Sequence, residues 1–142
     1  PYFDQRYGDF DARLAAAERR WELALGPYKG VPLVTYHRSW PNFMERFGLV
    51  VMGYVEPKPG IPPAPAHTIE LIGAMKAQQV KVVVVEPYFD KRTPQLIASQ
   101  AGGVVVELAP SVGGQPGADT YIGLFDYNVR VIAAALKQTT GR

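Results

Sequence analysis

The chain has 142 residues, with 15 Lys+Arg against 13 Asp+Glu, no Cys, 13 Pro and 14 Gly. That length makes one domain whose core needs no staples, and 47% hydrophobic against 20% charged residues excludes a disordered or fibrous chain. The lack of Cys excludes a disulfide framework, thiol catalysis and Cys-based zinc sites, and a net charge of +2 gives no argument for a nucleic-acid partner.

The sequence opens at Pro1 without an initiator Met and runs straight into helical periodicity. It lacks the charged-then-apolar start of a secretory signal, so a processed protein or a piece of a longer one is expected. Phe3, Tyr7, Phe10, Leu14, Ala17, Trp21 and Leu25 recur in steps of four and three. They predict a helix with one apolar stripe packed on a domain, too short for a coiled coil to be preferred. Gly26-Pro27 should stop it. No apolar run approaches the roughly 18–20 residues of a bilayer span.

Val31 to Tyr36 reads as a strand, followed by a helix that Ser39 could cap and Gly48 ends near Phe47. Leu49 to Val55 is a second strand. Glu56 to Pro65 holds five prolines and one Gly besides Glu56, and is expected to be a stiff extended loop. Pro65 can open a helix to about Gln79. Val80 to Glu86 is the strongest strand, and its run of Val fits a parallel strand covered on both faces. Thr93-Pro94 opens a further helix that Gly102-Gly103 ends. Val104 to Leu108 is the fourth strand, and Ala109 to Ala118 is a Gly- and Pro-containing loop. The last helix runs from about Asp119 to Lys137, with Tyr121, Leu124, Phe125, Ile132 and Leu136 inward.

One helix followed by four strand–helix repeats implies an α/β fold with a parallel sheet and right-handed crossovers. Ligands in such sheets bind beyond the carboxyl ends of the strands. At those ends stand His37, Glu56, Glu86 and the loop leading to Asp119. Ionisable groups on one rim suit a metal site or acid–base chemistry. Each also has a plain structural reading. His37 can be a hydrogen-bonded structural histidine, Asp119 a helix N-cap, Glu86 a partner of loop amides, and Glu56 a solvated loop residue. His67 reads as surface. No G-x-x-x-x-G-K-[ST], G-x-G-x-x-G after a strand, H-E-x-x-H or G-x-S-x-G motif occurs.

Four strings stand in order: VTYHRSWPNFMERFGL, YVEPKPGIPPAPAHTIELI, VKVVVVEPYFDKRTPQLIASQAGG and SVGGQPGADTYIGLFDYNV. Together they resemble the C-terminal half of the zinc/manganese substrate-binding proteins of bacterial ABC transporters. The resemblance implies residues 1–26 as part of a long linking helix and residues 27–142 as a C-terminal α/β lobe. That lobe is expected to be three-layered, with a four-stranded parallel sheet flanked by helices. It implies a divalent metal, Zn²⁺ or alternatively Mn²⁺, held between this lobe and an N-terminal lobe that brings two His ligands. Ligands from this half would be His37, in the T-Y-H motif, and Asp119, in the D-T-Y motif. Glu86, in the E-P motif, would stand behind them without coordinating. His37 leans towards zinc and the carboxylate towards manganese. The function implied is capture of the ion and delivery to an ABC permease, with no enzymatic step, no catalytic residue and no nucleic-acid partner. The place implied is periplasmic or extracellular, as a membrane-anchored lipoprotein whose signal segment is not in this sequence. Similar members often carry Ser where Ala64 stands before Pro65, a lost cap of about 1 kcal/mol. Without the other lobe, two ligands should bind metal weakly.

A different class of function remains open on the residues alone. A small doubly wound α/β enzyme or regulator would use His37 as a base oriented by Glu86 or Asp119, inside a pocket of this chain.

Overall fold

Short apolar segments, richest in Val at Val82–Val85 and Val104–Val106, build the centre of the molecule. In the computed structural model, which describes residues 1–142, they form β1 (Pro32–Thr35), β2 (Val50–Tyr54), β3 (Val82–Val85) and β4 (Val104–Glu107). All pairs are parallel and the sheet order is β2-β1-β3-β4. The helices are α1 (Tyr2–Leu25), α2 (Pro41–Phe47), α3 (Pro65–Ala77), α4 (Arg92–Ala101) and α5 (Tyr121–Thr140). This is the α/β architecture the repeats imply, with every strand one to three residues shorter than its apolar run.

Alternation along the strands sorts side chains into two cores. Leu33, Val82, Val84 and Val106 pack with Ala17, Trp21 and Leu25 of α1, Phe43 and Phe47 of α2, and Ile132 and Leu136 of α5. Val34, Tyr36, Val83 and Val85 pack with Leu71 and Met75 of α3 and Ile97 of α4. Three layers result. The faces follow from handedness: β1 to β2 steps one way across the sheet, β2 to β3 and β3 to β4 step the other. Crossovers of one hand must then put α2 on the opposite face from α3 and α4.

Two contacts leave no room for a side chain. A Cβ on Gly53 of β2 would lie 2.9 Å from Leu71 Cδ1, and one on Gly103 would lie 2.3 Å from the Lys81 carbonyl oxygen. Gly48, Gly102 and Gly141 end α2, α4 and α5 in the left-handed conformation that glycine alone adopts cheaply.

Several local expectations change. Gly26 is right-handed (φ −51°) and leads into a 3-10 turn, Gly26–Tyr28, so the chain tightens before it leaves the helix axis. The left-handed residue that follows is Gly30 (φ 80°). Ser39 does not cap α2; Trp40 holds the N-cap position with no side-chain bond, and Pro41 begins the helix. Ala64 likewise leaves α3 uncapped, as its side chain requires.

The largest departure concerns α1. Only Ala17, Trp21 and Leu25 of its stripe are buried, while Phe3 is 82%, Tyr7 71% and Phe10 41% exposed. The amphipathic pattern is present along the whole helix, but this chain covers only its last third. Tyr121, expected on the inner face of α5, is also half exposed, and its ring lies 6.3 Å from that of Phe10.

Candidate functional site

The chain leaves β1 towards β2 and leaves β3 towards β4, although β1 and β3 are neighbours. Between them lies the point where the connections diverge and a crevice opens at the carboxyl edge. His37 follows β1 by two residues and Glu86 follows β3 by one, so both stand at that point.

The ladder between β1 and β2 continues beyond the strands. Val55 N–H donates to the Thr35 carbonyl and Glu56 N–H to the Tyr36 carbonyl, each at 3.0 Å. This zips Glu56 alongside His37. Glu56 is therefore buried (8% exposed) beside an equally buried His37 (7%), where a solvated loop residue was expected. His37 Nδ1 lies 2.9 Å from the Glu56 carbonyl oxygen. A carbonyl only accepts, so Nδ1 carries the hydrogen and Nε2 of the neutral ring is left with its lone pair. Nε2 stands 3.7 Å from Glu56 Oε2.

Tyr36 and Phe89 wall this pair. Their rings stack at 4.5 Å and 9°, and Phe89 meets the His37 ring edge-on at 4.7 Å. The Tyr36 phenol is pushed up to about 12, by burial first, then by its hydrogen bond to the Glu56 carboxylate and by the charges of Glu56, Asp90 and Glu86. It stays a donor at any physiological pH. Burial and the Glu86 charge also push Tyr88 up.

Glu86 is wholly buried and neither carboxylate oxygen has a hydrogen-bond partner. It does not serve the loop amides; only its backbone carbonyl accepts a loop N–H, from Phe89 at 3.2 Å. On the rim outside it, Arg92 holds the Asp90 carboxyl down at about 2 through side-chain and then backbone hydrogen bonds.

Asp119 is exposed at the end of the β4–α5 loop. The N-cap of α5 is Thr120, whose Oγ1 accepts from Gly123 N–H at 3.0 Å, so Asp119 has no capping duty. Its loop is tethered at its start and again at Gln115. Asn128 grips Ala109 by both backbone groups, at 2.8 and 2.9 Å, and Glu107 binds Lys91 at 2.6 Å and Gln115 at 3.0 Å.

The structure thus brings His37 and Glu56 together, places Glu86 within electrostatic reach of Tyr36, and puts Asp119 on a separate loop of the same edge. No three His, Asp or Glu side chains gather within this chain in a way that could hold a metal ion. His67, expected at the surface, is half-buried and bonded. Its Nε2 lies 2.8 Å from the Tyr54 carbonyl oxygen, so it donates there and ties α3 to the end of β2. Sequence reading set Glu56 at a strand end, which was the available signal, but gave no sign that Tyr36, Phe89 or Asn128 would hold the edge together.

A hollow of about 640 Å³ lies elsewhere, between α1, α2 and α5, lined by Leu14, Trp21, Trp40, Phe43, Tyr121 and Phe125 among others. It contains neither His37 nor Asp119. A bare ion needs ligand atoms at about 2 Å and no cavity of that size. No helix is long and apolar enough to cross a membrane.

No curated protein matches the sequence. Solved structures do match. A ZnuA crystal structure aligns with 94% of this chain and 47% of its own at TM-score 0.76 and 22% identity. The substrate-binding protein FpvC of Pseudomonas aeruginosa, in complex with Mn²⁺, aligns over 96% and 52% at TM-score 0.74 and 24% identity. The laminin-binding protein Lmb of Streptococcus agalactiae, described as an adhesin with metal-transporting activity, aligns over 94% and 51% at TM-score 0.74 and 21% identity. The chain spans about half the length of these relatives. The family model described as zinc-uptake complex component A, periplasmic, matches residues 1–135, and with nearly the whole chain covered, this protein belongs to that family.

Proposed function

We propose that this chain is the C-terminal lobe, residues 27–142 with part of a linking helix at 1–26, of an extracytoplasmic receptor for a divalent metal ion. The receptor captures the ion, zinc in preference and manganese as the alternative, and passes it to an ABC permease. The observation that carries the reading is His37. It stands at the switch point of a sheet shared with this family, with its tautomer fixed and its Nε2 lone pair free. A neutral imidazole nitrogen held that way is a ready metal ligand, and the carbonyl that accepts from its other nitrogen supports it. Asp119, free of capping duty on a tethered loop of the same edge, supplies the second group.

The bare stripe Phe3, Tyr7 and Phe10, continuous with the aromatic hollow beside α1, supports an N-terminal lobe as the remaining half of the site. That lobe would bring the other two ligands, and the ion would be cargo needing no nucleophile or base. The enzyme alternative requires Glu86 or Asp119 to orient His37, whereas the group doing so is the Glu56 carbonyl.

The test is metal content and affinity of the complete gene product, with and without His37→Ala and Asp119→Ala. Loss of zinc and manganese binding in His37→Ala is expected. Unchanged binding of both ions would remove His37 from the site and the reading with it.

A further inference from the structure

We propose that Glu56 is a specificity-determining ligand of this site: its carboxylate shares the captured cation with His37. This rests on the receptor reading above and adds a residue to it.

Three observations converge. The first is the bite of the pair. With Nδ1 committed to the Glu56 carbonyl, Nε2 can only accept, and it faces Oε2, which also accepts, at 3.7 Å. Two acceptors so placed repel unless a positive species, a proton on Nε2 or a shared metal ion, lies between them. Ligand atoms each about 2.1 Å from one ion, at angles between tetrahedral and trigonal, lie about 3.4–3.6 Å apart. The observed gap is therefore close to the span of a shared ion. The second is restraint. One residue supplies both the carbonyl that fixes the imidazole and the carboxylate beside it. The Tyr36 and Phe89 rings pack edge-on against the His37 ring, at 4.8 and 4.7 Å, and hold it in place. Restrained ligands lose little freedom on binding. The third is the charge behind them. Glu86, one residue past β3 at the same edge, is fully buried with both oxygens unpartnered, and its charge would add to the attraction for a cation bound there.

Chemically, an added carboxylate changes the donor set. His37 alone favours borderline ions, and oxygen from Glu56 and Asp119 moves the balance towards harder ones such as Mn²⁺. Specificity is then set in part at Glu56, next to a histidine that by itself points to zinc.

The experiment uses the complete gene product as wild type, Glu56→Gln and His37→Ala, titrated with Zn²⁺ and Mn²⁺ against a chromogenic chelator, and loaded with Co²⁺ for visible spectra. Glu56→Gln keeps the backbone carbonyl that holds His37 Nδ1, and circular dichroism checks its fold. The expected result is at least tenfold weaker binding, larger for Mn²⁺ than for Zn²⁺, with a shifted Co²⁺ ligand-field band. Weaker binding with an unchanged band would overturn the proposal, because charge alone would then be acting at a distance. Wild-type affinity in Glu56→Gln with binding lost in His37→Ala overturns it too, and leaves the receptor reading standing. Wild-type affinity in both variants removes the receptor reading itself.

Discussion

Trp21 donates its indole N–H to Asp126 Oδ1 at 2.7 Å, across the seam where α1 lies on α5. Arg20 reaches the same carboxylate at 3.2 Å, and the Trp21 ring stacks on Phe125 at 5.0 Å. The indole is the buried partner, so it suffers most when the acceptor goes. Asp126→Ala should cost about 1–2 kcal/mol, nearly all from the stranded N–H, because the Arg20 contact is exposed. Asp126→Asn, which keeps an acceptor, should cost less. Urea denaturation of the three proteins checks the order; equal losses in both variants would assign the effect to the ion pair.

A methyl group at position 103 has nowhere to go. The Lys81 carbonyl, which accepts from Val104 N–H at 2.8 Å, sits where the Cβ would be. Gly103→Ala should destabilise by about 2 kcal/mol or more by forcing β3 from β4. Gly8→Ala, inside α1 with nothing within 4 Å, should instead stabilise by up to about 1 kcal/mol and serves as the control for a methyl group with room. A Gly103→Ala protein as stable as wild type would refute the steric account.

Burying Glu86 without donors strains the metal-free protein. Glu86→Met, similar in volume and neutral, should raise its stability by about 1 kcal/mol or more. Thermal melts with a chelator present read this directly. A lower melting temperature would mean that the fold supports the carboxylate and would refute this account.

Asp90 titrates at about 2 because Arg92 hydrogen-bonds its charged form. A depressed carboxyl stabilises the fold above the ordinary carboxylate range and loses that contribution as pH falls from about 4 through about 2. Carbon NMR of the side-chain carboxyl should place the midpoint near the lower value and return it to the ordinary range in Arg92→Ala. A midpoint indifferent to Arg92 would contradict the assignment.

The uncovered end of α1 should make the isolated 142-residue chain self-associate. Sedimentation at rising concentration should show dimers or larger species, lost when Phe3, Tyr7 and Phe10 are each replaced by Ser. A wild-type chain that stays monomeric at high micromolar concentration would show that the stripe is not adhesive.

The layered fold was legible because Val runs such as Val82–Val85, apolar at every position, exclude a strand with one wet face. The extent of α1 was equally plain, and what periodicity could not show is how much of the stripe this chain would cover. His37 was visible as a histidine ending a strand. Glu56 was seen at its strand end and misjudged, because its burial depends on a ladder that runs two residues past β2 into a segment whose prolines suggest open loop. Asp119 was weighed as a cap; the neighbouring Thr120 hydroxyl took that role, a choice of one residue that composition does not decide.

Being clamped at one end makes α1 a lever. Its buried contacts, Ala17, Trp21 and Leu25, leave an arm of about 22 Å from Ala17 to Tyr2. A tilt of about 5° at the seam moves the tip by about 2 Å, the length of one metal–ligand bond. In a two-lobed receptor the reach between ligands on opposite lobes would therefore be tuned at Trp21 and Asp126, residues that never touch the ion.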